Sequence, residues 1–295
     1  MKLHYFKPSK GNGNFGDNIN PWLWEKLIPG FLDEDQTVAF IGIGTLINDS
    51  LLLSTSMAKK RIIFSTGVGY GELSTINIDS SYHIYCVRGP LSAFKLGLSL
   101  DYAVTDGAIL VKNFFDYNLK KNRKYSYMPH HNSVNQNWKI LCQELNISYI
   151  DPSLPVEEIF REIAQTEILL TEAMHGAIIA DTFRVPWIPI VTRDGILLSK
   201  WIDWCFSVGL EYRPKHLPHL HYHQSYKKDL ITPMRNVKYL YQNWNHRKDI
   251  LQKFHKIIKE SKPCLSSNSK LNELSDKLEE KMNLLISDYR SGKFE

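Results

Sequence analysis

The chain has 295 residues, 43% hydrophobic and 23% charged, with a formal charge of +5. That length is comfortable for two domains, and the composition excludes a disordered or fibrous chain. The positive charge suits anionic small molecules or a membrane surface and does not require nucleic acid.

Aromatic residues make up 12% of the chain, a share that core packing explains as readily as sugar stacking. Cys86, Cys142, Cys205 and Cys264 are far apart and form no C-x-x-C pair. This spacing predicts a reduced, cytoplasmic protein without a structural zinc site. Met1 to Lys7 lacks the apolar stretch of a signal peptide. No apolar run reaches the roughly 18 residues of a membrane span, so membrane contact is expected only as peripheral contact at the inner face.

Leu3 to Phe6 reads as a first strand. A turn rich in Gly and Asn follows, from Gly11 to Asn18, able to bring backbone close to a phosphate or sugar. Its glycines have neither dinucleotide-fingerprint spacing nor a following P-loop lysine. The next helix is expected to start with Asn20 as cap and Pro21 at the first helical position. Strands are expected at Thr37 to Ile41, Arg61 to Ser65, Tyr82 to Val87 and Ala103 to Thr105, with short helices at Ser50 to Met57 and Arg88 to Leu96. Gly, Arg and Asp recur at the strand ends, and strands alternating with helices predict parallel βαβ units.

The polar stretch Asn118 to Lys124 reads as a linker between lobes. The alternation then restarts with strands at Tyr125 to Met128, Ile147 to Ile150, Ile168 to Leu170 and Trp187 to Val191. Helices are expected at Val134 to Leu145, from Pro155 to Ala164, and at Leu198 to Val208. His219, His221 and His223 would share one face of a strand, but no carboxylate or Cys accompanies them, so a solvated cluster is favoured over a metal site. Val237 to Lys262 is basic and helical in pattern, a solvated face in preference to an approach to anionic lipid headgroups or polyprenyl diphosphate. Leu271 to Ile286 is an amphipathic helix, and Arg290 to Glu295 is expected to fray. The expected organisation is an N-terminal α/β lobe over residues 1–117, a second over 125–235 and a helical extension over 236–295.

The stretch Thr171 to Asp181 carries the most chemistry. His175 stands where a strand end meets a helix start, and ligands of parallel sheets bind outside the carboxyl ends of the strands. Free N–H groups of the first helical turn attract an anion there, and an imidazole can move a proton near neutral pH. A buried histidine bonded to a neighbouring loop remains the alternative.

Several motifs together resemble the polysaccharide pyruvyl transferase family, in its branch near the ketal pyruvyltransferases of succinoglycan-type exopolysaccharide synthesis. They are Gly13-Asn14-Phe15-Gly16-Asp17-Asn18, Gly42-Ile43-Gly44-Thr45-Leu46, Val87-Arg88-Gly89-Pro90-Leu91-Ser92, Thr105-Asp106-Gly107-Ala108, Met128-Pro129-His130-His131, Ile150-Asp151-Pro152-Ser153, Thr171 to Asp181, and Arg184-Val185-Pro186-Trp187. The resemblance implies an α/β fold of two Rossmann-like lobes similar to the GT-B glycosyltransferases, with C-terminal helices. It also implies phosphoenolpyruvate as donor and a saccharide of a capsule or exopolysaccharide as acceptor, free or lipid-linked; Arg, His and helix N-termini can meet that donor's groups, so no cofactor or metal is expected. Many members carry Arg-Leu-His where this chain has Ala173-Met174-His175, so other cations such as Arg88, Arg184 or Lys200 must serve the donor.

Such a reaction needs cations or N–H donors for two anionic groups and an acid/base pair. His175 and Arg88 are expected to bind the donor, with His175 also a candidate proton donor. Asp17 and Glu172 are candidate bases or partners of sugar hydroxyls. Asn14, Asp106 and His131 are expected to shape the acceptor side, with Gly16 and Gly44 admitting substrate close to backbone and Arg184 adding charge. The linker should let the lobes close so that Arg88 and His175 share one donor. The rivals are a nucleotide-sugar glycosyltransferase on the same scaffold, disfavoured because the one D-x-D stretch, Asp33-Glu34-Asp35, reads as a surface turn before the second strand, and an inactive scaffold component of capsule assembly.

Overall fold

Short buried runs separated by amphipathic helices build two parallel sheets in the computed structural model, which describes residues 1–7, 14–69, 71, 76–218, 220 and 247–294. The first sheet has β1 (Lys2–His4), β2 (Val38–Ile41), β3 (Lys60–Phe64) and β4 (Tyr82–Cys86), side by side in chain order. The second holds β5 (Arg123–Met128), β6 (Ser148–Tyr149), β7 (Thr166–Thr171), β8 (Trp187–Val191) and β9 (Lys215–His216), in the order β6-β5-β7-β8-β9. Every residue of β2 and β8 is buried, as expected of sheets covered on both faces.

The helices are α1 (Phe15–Leu27), α2 (Leu51–Ser54), α3 (Pro90–Lys95), α4 (Gln136–Glu144), α5 (Val156–Ala164), α6 (Met174–Thr182), α7 (Leu198–Ser207), α8 (247–260) and α9 (Asn268–Arg290). One core runs between the sheets and takes in α1, α5, α6 and α9. Phe15 and Trp22 of α1 both meet the ring of Phe160 on α5 edge-on, at 5.8 and 5.1 Å. Two smaller clusters fill the outer faces, one with α4 and α8 on the second sheet and one with α2 and α3 on the first.

Helix α1 starts six residues earlier than Asn20 and Pro21 suggest, with Asn14 as its cap and Pro21 inside it. An interior proline removes the bond to the carbonyl four residues back. Here that carbonyl, Asp17 O, accepts instead from Asn20 Nδ2 at 3.2 Å. Asn20 also donates to Ile43 O at 3.0 Å and accepts from Ile43 N and from Trp24 Nε1, both at 2.8 Å. The expected cap is therefore a buried clamp between α1 and the loop after β2.

Two further expectations change. Ala103 to Thr105 forms no strand, only a single parallel bridge between Ala103 and Val87. The tail does not fray up to its last described residue: Phe294 is buried, with His83 edge-on at 5.1 Å. Helix α9 packs on β4, where Tyr85 Oη donates to Asp288 at 2.5 Å. Cys264, between α8 and α9, exchanges backbone hydrogen bonds with Trp187 at 2.7 and 3.0 Å. The C-terminal helices thus pack back over both sheets. Among the described residues no helix is long and apolar enough to cross a membrane. His219, His221 and His223 lie outside the described residues, as do residues 237–246 of the basic segment.

Candidate active site

Carboxyl ends of parallel strands gather the chemistry. Gly44 follows β2, Arg88 follows β4, His130 and His131 follow β5, Glu172 follows β7 and Arg193 follows β8. Asp106 caps the 3₁₀ segment Gly107–Asn113, which packs on α6.

His175 sits in the first turn of α6 and lies directly against the first turn of α1. A Cβ on Gly16 would stand 2.0 Å from His175 Nδ1, so only glycine leaves room for the imidazole. On its other side His175 Nε2 lies 3.6 Å from Asp106 Oδ2. Both atoms are buried and have no hydrogen-bond partner. A shift of a few tenths of an ångström would join them in a charge-assisted bond. Asp106 Oδ1 is meanwhile fixed by Ala108 N at 3.0 Å, so the carboxylate is held facing the ring.

Asp17 stands in the first turn of α1, bonded to Asn14 Nδ2 at 2.8 Å and 7% exposed. Asn14 in turn caps the helix by accepting from Gly16 N. Burial pushes the Asp17 carboxyl up to about 6, against the pull of His175, Asn14 and Lys200. A Cβ on Gly44 would meet Asp17 Oδ1 at 3.8 Å, which places the loop after β2 beside this carboxylate. The structure therefore brings together Asn14, Gly16, Asp17, Gly44, Asp106 and His175.

Three expected residues are engaged otherwise. Arg88 is fully buried: its Nε donates to Asp203 Oδ2 of α7 at 3.1 Å, and its Nη1 to Gly44 O and Thr45 Oγ1. Its guanidinium lies against Gly67, where a Cβ would come within 2.2 Å of Cζ. Asp203 also accepts from Ser92 N and Oγ, so this ion pair fastens α7 to α3. That pair ties α7, which follows the second sheet, to the loops of the first sheet, as the seating of His175 on Gly16 ties α6 to α1. Glu172 is buried, accepting from Tyr127 Oη at 2.7 Å and from His130 N at 3.2 Å, and so orients the loop after β5. Arg184 is at the far end of α6 from His175, held by Asp181 O and by Ser266. It is separated from the other residues by the length of the helix.

His131 stacks on His130 with ring centroids 4.1 Å apart. Burial, then the charges of His131, Lys200 and Arg193, holds His130 down to about 2; burial, Arg193 and Lys200 also lower His131. Both imidazoles are thus held toward their neutral form. Lys200, in the first turn of α7, is brought down to about 8 by burial, then by Arg88, with Asp17 pulling the other way and Arg193 adding to the fall. His130, Arg193, Asn20 and Asp203 carry no functional expectation above. Arg193 follows a strand end as Arg88 does, and that placement could have found it; Asp203, on a Trp-rich helix, gives no such signal. A separate pocket of about 330 Å³ between β4 and α9 contains none of these residues. Among the described residues no three His, Cys, Asp or Glu side chains are grouped as metal ligands.

Residues 5–194 match the family profile described as polysaccharide pyruvyl transferase. The chain belongs to that family. This pyruvyl transferase is 37% identical over 220 residues to the succinoglycan biosynthesis protein ExoV of Rhizobium meliloti, covering 74% of this chain and 68% of that protein. It also overlaps a crystal structure of an uncharacterized Klebsiella pneumoniae protein, at 15% identity and a TM-score of 0.43 over 70% of this chain and 88% of that one, a likeness too loose to define the fold. The chain is a transferase enzyme, in place of the glycosyltransferase and scaffold alternatives. His175 and its neighbours from α1 to α6 lie inside the matched span; Lys200 and Asp203 lie beyond it.

Proposed function

We propose that this pyruvyl transferase moves pyruvate from phosphoenolpyruvate onto two hydroxyls of one sugar, forming a cyclic ketal on an exopolysaccharide or its precursor. The observation that carries the reading is the imidazole of His175, seated on the glycine of one helix turn and faced by the carboxylate of Asp106, the cap of the 3₁₀ segment Gly107–Asn113. The 37% identity to a protein of succinoglycan biosynthesis supports the acceptor class. We read the two sheets as lobes of the GT-B kind, with the donor between their carboxyl ends. The site of action is cytoplasmic, with a lipid-linked acceptor at the inner face of the membrane.

In this scheme His175 donates a proton to the methylene carbon of phosphoenolpyruvate, and Asp106 steadies the ring and the charge it carries. The adjacent carbon becomes oxocarbenium-like, and a sugar hydroxyl attacks it while Asp17 accepts its proton. Phosphate leaves, and a second hydroxyl closes the ketal. Of the two hydroxyl protons, one ends on the new methyl group and one on phosphate, so no other reactant is needed. First-turn N–H groups of α1 and α6 favour the anionic groups of the donor.

The test is incubation of the purified chain with phosphoenolpyruvate and an exopolysaccharide fragment, read by mass spectrometry for one added pyruvate ketal and by release of one phosphate. His175→Gln is expected to lower the rate roughly 100-fold or more. A near-normal rate at saturating donor would remove His175 from the chemistry, and a requirement for a nucleotide sugar would overturn the donor assignment.

A further inference from the structure

We propose that Lys200 and Arg193, together, are the cationic contacts for the carboxylate and phosphate of the donor, an assignment that rests on the phosphoenolpyruvate reading above. Position is the first argument. Arg193 stands two residues beyond the carboxyl end of β8, and Lys200 in the first turn of α7. The segment between them is seated on the first sheet's loops: a Cβ on Gly69 would lie 2.5 Å from Leu197 and 2.7 Å from Thr45. Thr45 in turn is bonded to Arg88. The charge of Lys200 is felt by Asp17 on α1 and by His130 and His131 after β5. Lys200 itself feels Arg88 after β4 and Arg193 after β8. Four segments besides α7 therefore share an electrostatic neighbourhood with this ammonium.

Charge balance is the second argument. Arg88 is neutralised by Asp203, and Arg184 is tied to Asp181 and Ser266 elsewhere. His130 and His131 are held toward their neutral form. What remains among the charges acting on Lys200 is its own ammonium and Arg193 against one carboxylate, Asp17, in a partly buried place. Clustered like charges out of water are unfavourable unless an anion joins them.

Unpaired donors are the third. Arg193 Nε, Thr192 Oγ1, His131 Nδ1 and Arg88 Nη2 are all buried without a hydrogen-bond partner. Folded chains rarely leave buried polar atoms unpaired without a functional reason. A small polyanion supplies acceptors to this set, with the carboxylate and phosphate of phosphoenolpyruvate fitting two separate cations.

The test uses the full chain with Lys200→Met, Lys200→Arg and Arg193→Met, measuring KM for phosphoenolpyruvate and for acceptor separately, with thermal unfolding as a fold control. Each Met variant is expected to raise the donor KM roughly 10- to 100-fold at unchanged acceptor KM, and Lys200→Arg to restore most of it. Wild-type donor KM should climb above pH about 8, where Lys200 loses its proton, while Lys200→Arg stays level. Asp17, with its carboxyl near 6, is already ionised in that range and adds no slope. Folded Met variants with a wild-type donor KM, or a rise confined to acceptor KM, would overturn the assignment. If Lys200→Met fails to fold, the pH profile of Lys200→Arg decides: a climb like the wild type's overturns it. Wild-type chain that neither binds nor consumes phosphoenolpyruvate overturns the donor reading itself, and this proposal with it.

Discussion

Replacing Asp17 by Asn should make the protein more stable and less active, and the gain should depend on pH. The carboxyl of Asp17 is raised from 3.8 to about 6, chiefly by burial. At roughly 1.4 kcal/mol per pH unit, the ionised form costs the fold about 3 kcal/mol. The sign follows from proton counting. The folded chain holds this proton to higher pH than the unfolded chain does, so the contribution of Asp17 to stability falls as pH rises from about 4 to about 6, then stays constant. An asparagine keeps the bond to Asn14 through its own side-chain oxygen and carries no charge. Urea titrations of both proteins between pH 4 and 8 should therefore show near-equal stability at the acid end and a gap opening to about 3 kcal/mol in favour of Asp17→Asn by pH 7. Turnover should meanwhile fall, because asparagine cannot take a proton from a sugar hydroxyl. A gap that stays flat across this range, or one that favours the wild type at pH 7, would refute the view that burial strains this carboxylate.

Gly16→Ala should keep the fold yet lose roughly 100-fold in turnover, since the added methyl displaces His175 from its seat; steady-state rates alongside circular dichroism check it. Arg88→Met should cost about 3–5 kcal/mol, leaving Asp203 buried without its cation. Pairing it with Asp203→Leu should recover part of the loss in urea denaturation, although the bonds from Ser92 to Asp203 are then lost too.

Much of the fold was legible because its strands are short apolar runs closed by Gly, Pro or Asp, and β2, β5, β7 and β8 appear within two residues of their expected bounds. The start of α1 was not. Pro21 normally marks a first helical position, and nothing local reveals that Asn20 can answer the carbonyl that an interior proline leaves unpaired. His175, Gly16 and Asp17 were legible as motif residues, but their meeting is a tertiary fact between α6 and α1. Arg88 and Glu172 looked like ligand-facing charges for the same reason that they are buried at strand ends: both positions demand a polar group, and sequence does not say whether protein or substrate answers it. Arg88 is answered by Asp203, 115 positions away, and Glu172 by Tyr127 and the backbone of His130.

The covering of β4 by α9 has a consequence for biosynthesis. Strand β4 is the outer strand of the first sheet, ending at Cys86, and the helix that shields it ends at Arg290. About 200 residues must therefore be made after the strand before its cover is complete. At the roughly 5–20 residues per second of translation, the growing chain leaves that outer strand without its helix for about 10–40 seconds. An uncovered strand edge is a template for pairing with another chain. Production of this enzyme should accordingly be limited less by the equilibrium stability of the finished molecule than by how well ribosome-associated chaperones mask the nascent first sheet, and slower synthesis at low temperature should help only where that masking keeps pace.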